Sequence, residues 1–153
     1  MVTQNAVIDA VKTAIRQRFP DEPVYVNVLP KNFERPSFLV ENTDLTMEPD
    51  PNGAVTLPLN IRVASFVKVD EYHNSQLEAL NLRQYAILGL FAQLYLRVGD
   101  RALDVVKLTG TAGGRDWIDV TAVLEWDEDL ADFQNIKPLP EMQEINLKME
   151  GTT

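Results

Sequence analysis

Between positions 55 and 63 the chain alternates: Val55, Leu57, Leu59, Ile61 and Val63 fall on one parity, and Thr56, Asn60 and Arg62 on the other. Successive side chains of a strand point to opposite faces, so this run fits a sheet with one face on a core and the other in water. A helical period would scatter the same residues around a cylinder. The rest of the chain must therefore supply neighbours for this strand and a cover for its apolar face. Pro58 lies on the polar parity. Proline cannot donate to a ladder, so it predicts that part of the strand is an edge or carries a bulge, and an edge is where another subunit can add a strand.

The flanking segments supply those parts. Val7, Ala10, Val11, Ala14, Ile15 and Phe19 recur at spacings of three and four, which predicts an amphipathic helix over 3–19, ended by Pro20-Asp21-Glu22-Pro23. Residues 24–28 alternate and are β-branched, and 37–47 read as a second strand, with a loop over 30–36 between them. Pro49-Asp50-Pro51-Asn52-Gly53 is turn chemistry ahead of the 55–63 strand. Ser75-Gln76-Leu77-Glu78 matches a capping box and predicts a helix running to about residue 97, roughly 33 Å long, with Gly99 ending it in a left-handed conformation. Strands over 103–108 and 117–124 follow, joined by a turn over 110–116. The order is helix, three strands, helix, two strands. It predicts an α+β fold, a mainly antiparallel sheet with two helices packed on it. Trp117 and Trp126 differ by an odd number and so are expected on opposite faces, one of them suited to anchor an interface.

Length and composition set the class. A chain of 153 residues, 45% hydrophobic and 24% charged, fits one soluble globular domain, and no window approaches the ~18 apolar residues of a membrane span. The first residues carry no basic cluster and lead into no apolar region, so a secretory signal is not expected. Residues 1–126 form the expected domain and 127–153 an acidic C-terminal arm. The arm holds seven acidic and two basic residues, hence five of the nine net negative charges. It is not uniformly polar, since Ile136, Leu139, Met142, Ile145, Leu147 and Met149 are available for docking, and 144–149 alternate like a short strand.

Residue types narrow the chemistry. Cysteine is absent, which removes disulfides, thiolate nucleophiles and cysteine zinc sites, and His73 is the single imidazole. His73 beside a carboxylate would be the core of a small hydrolase, against the plainer reading of a surface histidine ahead of a helix. The run Gly110-Thr111-Ala112-Gly113-Gly114-Arg115 sits between strands and lacks the Gly-Lys-Ser/Thr ending of a phosphate loop, so it reads as a hairpin turn. Asp127, Glu128, Asp129 and Asp132 lack the spacing of a calcium loop and read as a solvated run. Neither cofactor nor metal is expected. A net charge of -9 opposes tight binding to a phosphate backbone.

Two segments carry a family resemblance. Asn32-Phe33-Glu34-Arg35-Pro36-Ser37-Phe38 and, after the second predicted helix, Arg97-Val98-Gly99-Asp100-Arg101-Ala102-Leu103 resemble, in that order, segments of the tail terminator proteins of long-tailed, PBSX-like phages and phage-tail-like particles. The element order from about residue 6 to 126 fits as well. The resemblance implies a structural virion protein rather than an enzyme, assembled in the host cytoplasm and located at the tail neck. Such proteins form a homo-oligomeric ring, commonly of six copies, that caps the head-proximal end of the tail tube and meets the head-tail connector protein. In a contractile tail the ring also holds the last layer of sheath protein, and DNA passes the lumen without specific binding. On this reading Phe33, Glu34, Arg35 and Pro36, with Arg97, Asp100 and Arg101, shape surfaces near subunit or partner contacts. The alternatives from the same residues are another neck or head-completion ring protein, or a tail-assembly chaperone.

Overall fold

The alternating run becomes the inner part of the longest continuous pairing in the molecule. In the computed structural model, which describes residues 1–72, 75–112 and 116–136, the elements are α1 (Gln4–Arg18), β1 (Val24–Val26), β2 (Ser37–Leu45), β3 (Glu48–Pro49), β4 (Ala54–Phe66), α2 (Leu77–Leu90), β5 (Tyr95–Val98), β6 (Arg101–Ala112), β7 (Trp117–Asp129) and α3 (Leu130–Gln134). β4 pairs antiparallel with β7 without a register shift, from Ala54 opposite Asp129 to Phe66 opposite Trp117. The strands are ordered β1-β2-β4-β7-β6-β5, with β3 also on β4, and among the described residues only β1 and β2 run parallel. The fold is α+β with a mainly antiparallel sheet, as expected. The short strands β3 and β5 and the one-turn helix α3 are additions to the expected order.

One face of the sheet holds the main core. Val55, Leu57, Leu59, Ile61 and Val63 of β4 meet Ile118, Val120, Ala122 and Leu124 of β7 there, beneath Val7, Ile8, Val11 and Ile15 of α1 and Leu80 and Ile87 of α2. Each large apolar side chain so buried contributes about 1.5–3 kcal/mol. α1 touches β1 and β2 at one end of the strand order and β5 at the other, so the sheet curls around this helix. Thr3 caps α1, its side-chain oxygen accepting from the Ala6 N–H at 3.2 Å. On the opposite face a smaller cluster joins Leu39, Ala64 and Phe66 to Tyr25, Leu29, Phe33 and Trp117. Trp126 is in the main core, so the two tryptophans do face opposite sides.

Pro58 is not at an edge. β4 has β7 on one side and β2 with β3 on the other, and the irregularity is in the neighbour, where β2 shifts register between Asn42 and Leu45. The Pro58 carbonyl accepts from Thr46 N–H at 2.9 Å. A strand residue points its N–H and C=O to the same side, so the proton that proline lacks would face this junction, where the ladder is already interrupted.

The second helix is shorter than its apolar pattern predicts. Its N-cap is Gln76, without a side-chain capping bond, and the expected capping box does not form. Ser75 bridges to Val69, and its hydroxyl lies 3.4 Å from the Asp116 carbonyl oxygen. The helix stops at Leu90, and Leu94 takes φ +68° before β5 begins. In β5 Leu96 and Val98 are buried while Tyr95 and Arg97 are exposed, a period of two inside a run that also fits a helix. Gly99, at φ +61°, does not end a helix. It takes the first position of the two-residue turn between Val98 and Arg101, where positive φ suits the twist of a hairpin.

Gly110 does not open a turn either, because β6 continues to Ala112 and Gly110 pairs with Val120. A Cβ there would lie 2.7 Å from Gln84 Nε2, and that amide donates to the carbonyls of Thr111 and Asp119 at 3.3 and 3.1 Å. Asp127, Glu128 and Asp129 complete β7, with Thr56 donating to Asp127 Oδ1 at 2.7 Å. His73, the glycine-rich stretch 113–115 and the arm segment 137–153 lie outside the described residues.

Candidate assembly surface

The first quoted segment is built around a guanidinium. Residues 29–36 cross the outer face of the sheet at the end where β2 and β7 start and β4 finishes. Phe33 inserts its ring 4.7 Å from that of Phe66, and the Arg35-Pro36 bond is cis. Arg35 Nη1 donates to the carbonyls of Val67 and Asp116 at 3.1 and 3.2 Å. Its guanidinium carbon stands 5.0 Å from the centre of the Phe33 ring and 5.4 Å from that of Phe66. The Glu34 N–H donates to the Tyr25 hydroxyl at 3.1 Å, leaving the Glu34 side chain in solvent. Arg35 thus ties three chain segments together, and Glu34 is the charge this loop presents outward.

The second segment lies at the other end of the sheet. Arg101 Nη2 donates to the Asp127 carbonyl at 2.7 Å, and Nη1 meets Glu128 Oε1 at 3.3 Å. The same carboxylate oxygen accepts from the Val2 N–H at 2.9 Å, so the buried Glu128 fastens the start of the chain to the β5-β6 hairpin. Arg97 and Asp100 project from that hairpin and are exposed.

These two sets are not one site. Arg35 bonds to the residue just before β7 and Arg101 to residues near its end, and β7 has 13 residues. At ~3.3 Å per residue the two loop surfaces are on the order of 40 Å apart, at opposite poles of the sheet.

Two further arginine networks escape a reading of sequence alone. On the outer face Arg62 Nε meets Asp119 Oδ2 at 2.9 Å and its Nη1 meets Glu41 Oε2 at 3.3 Å, with the guanidinium 4.8 Å from the Trp117 ring centre. Arg83 of α2 forms a two-pronged pair with Glu22 and donates to Ser65 Oγ at 3.0 Å, stacked over Phe19 and Phe38. The signal available beforehand was an arginine among apolar neighbours in each element. The partners come from elements that only the fold brings near.

Two surface features remain. The outer side of α2 is partly apolar, since Leu77, Leu82 and Tyr85 are 69, 63 and 74% exposed, beside the exposed Glu78 and Asn81. Between α1 and β5 runs a groove of about 550 Å³, lined on one wall by Ala6, Ala10 and Ala14 together with Asp9, Thr13 and Gln17, and on the other by Leu96, Arg97 and Val98. Among the described residues no group of three or more His, Cys, Asp or Glu side chains is placed to hold a metal ion, and no helix is long and apolar enough to cross a membrane.

Comparison with known proteins adds one result. No curated protein matches the chain. Residues 6–111 match the family described as phage tail terminator protein, a span that contains both arginine segments and runs from α1 into β6. With more than half of its length matched, the chain belongs to the phage tail terminator protein family.

Proposed function

We propose that this protein forms a closed ring, of six copies, that caps the head-proximal end of the tail tube and joins it to the head-tail connector. In a contractile tail the same ring holds the last sheath layer. Membership of the family carries the reading, and it makes the protein a structural component of the virion that contacts other tail components. The polar arrangement of the two loop surfaces supports it. A subunit standing with β7 near the tail axis offers the Glu34 and Arg35 loop to one partner and the Arg97, Asp100 and Arg101 hairpin to another. A cap needs one face that matches the exposed end of the last ring and another that does not reproduce that end, because a reproduced end would let the polymer continue.

Copies meet through the outer side of α2, where Leu82 and Tyr85 supply apolar area that a neighbour can cover. The net charge of -9 suits a lumen that passes DNA without retaining it, because like charge opposes adhesion. Tube polymerisation in vitro tests the proposal. Added protein is expected to arrest elongation at a length fixed by the time of addition, with one ring per tube. Binding to unassembled tube subunits with elongation unaffected would assign it instead to chaperoning.

A further inference from the structure

We propose that copies of this protein join margin to margin, β1 of one copy pairing antiparallel with the free end of β6 in the next, so that one sheet runs from subunit to subunit. The inference rests on the ring proposed above and names how its subunits meet. Past residue 105 β5 no longer accompanies β6, and from Lys107 to Ala112 β6 has β7 on one side and, among the described residues, no strand on the other. Thr109, Gly110, Thr111 and Ala112 are exposed there. At the opposite margin β1 has β2 alone among the described residues. A margin of unpaired backbone groups is a template for another strand.

The directions of those groups follow from the ladder. Each strand residue aims its N–H and C=O to one side, and the next residue aims them to the other. The Phe38 N–H donates to the Pro23 carbonyl at 3.0 Å, and the Val40 carbonyl accepts from the Asn27 N–H at 2.9 Å. Residues 38 and 40 therefore face β1, and Val24 and Val26, which are level with them, aim outward. Leu39 faces β4, its partner Ala64 faces back, and Val63 and Ser65 face β7. Continued through β7, the alternation turns Asp119 and Thr111 toward each other and leaves Gly110 and Ala112 aimed outward.

The outward groups of the two margins lie on the same rows. One row runs Val24, Phe38, Ser65, Ile118, Ala112, and the other Val26, Val40, Val63, Val120, Gly110. β1 and β6 run in opposite directions. In copies standing with like poles level, Val24 of one thus falls opposite Ala112 of the next and Val26 opposite Gly110, each pair placed to exchange N–H to carbonyl bonds. Tyr25 falls opposite Thr111 on the outer face, an aromatic beside a β-branched residue. The match needs no displacement along the strands, which is the condition for a repeated head-to-tail contact to close instead of climbing. α2 lies over this end of β6, and β1 brings its own α1 beside it.

The chain has no cysteine, so single thiols report the contact. Tyr25→Cys and Thr111→Cys proteins, mixed and mildly oxidised, are expected to form the mixed disulfide dimer. Facing residues of such a pair have Cα atoms about 4.5 Å apart, within the ~4.4–6.8 Å that a disulfide spans, and either variant alone should cross-link about tenfold less. In the unmodified protein the amides of Val24, Val26, Gly110 and Ala112 should exchange about tenfold slower when assembled than in the dilute monomer, with Thr109 and Thr111 protected in both. Ala112→Pro removes one outward donor and no bond to β7, so it should weaken association about tenfold with the monomer still folded. Assembly without the mixed disulfide, with those four amides unslowed, or undiminished in Ala112→Pro overturns the margin pairing and leaves the ring standing. Thr111→Cys cross-linking to itself as well as to Tyr25→Cys means a two-fold contact and also overturns it. A protein monomeric at every concentration overturns both.

Discussion

Arg35 shows how a surface arginine becomes an internal one. It makes two hydrogen bonds to carbonyls of segments 32 and 81 residues away and stacks against two phenylalanines. Charged hydrogen bonds contribute about 1.5–3 kcal/mol and cation-π contacts about 0.5–1 kcal/mol in partly exposed sites. The terms share one side chain and do not add fully. Arg35→Ala should lower unfolding stability by about 2–3 kcal/mol in chemical denaturation, and Arg35→Lys should recover only part of that, because an ammonium cannot lie flat on two rings while bonding two carbonyls. Gly110 is a second case. Gly110→Ala should cost about 1–2 kcal/mol, since its methyl group displaces the Gln84 amide from two carbonyls. In a Gln84→Ala background the same change should cost much less, and a double-mutant cycle measures the difference. Neither role was legible in the sequence. The Arg35 motif marked the position without its partners, and Gly110 looked like turn chemistry because strand and turn glycines are identical in one dimension.

Among the elements, β4 was the most legible, because five apolar residues at period two admit few other conformations. Its neighbours were harder. Pro58 correctly marked an interrupted ladder, but on the partner strand, and sequence does not say which of two paired strands carries the irregularity. β5 was hidden because Leu94 and Tyr95 extend the apolar spacing of α2, and only Leu96 and Val98 follow the strand period. α2 itself carries the next prediction. Leu82→Glu with Tyr85→Glu should leave monomer stability within about 0.5 kcal/mol, because both side chains are already exposed. The same pair should abolish subunit association in sedimentation, because a charge facing a neighbour's apolar surface is costly to desolvate. Unchanged association would move the subunit contact away from α2.

For the whole molecule, the sheet is a rod between two dissimilar poles, with one helix-covered face and an outer face that carries the Arg62 ion pairs beside the smaller apolar cluster of Leu39, Phe66 and Phe33. The β4-β7 pairing spans its full length without a shift, so load applied at one pole reaches the other through a continuous ladder. Cavity formation at its centre should be felt throughout: Leu59→Ala, at a fully buried site, should destabilise by about 2–5 kcal/mol and shift the melting of both poles together. The sequence carried the fold class and both poles, and it missed that they are poles, because separation along β7 is a property of topology. Electron microscopy of purified tail tubes incubated with the protein tests the central claim most directly. A closed ring is expected, seated at one end of each tube and at that end only. Bare tube ends beside a protein that stays monomeric at every concentration would contradict it.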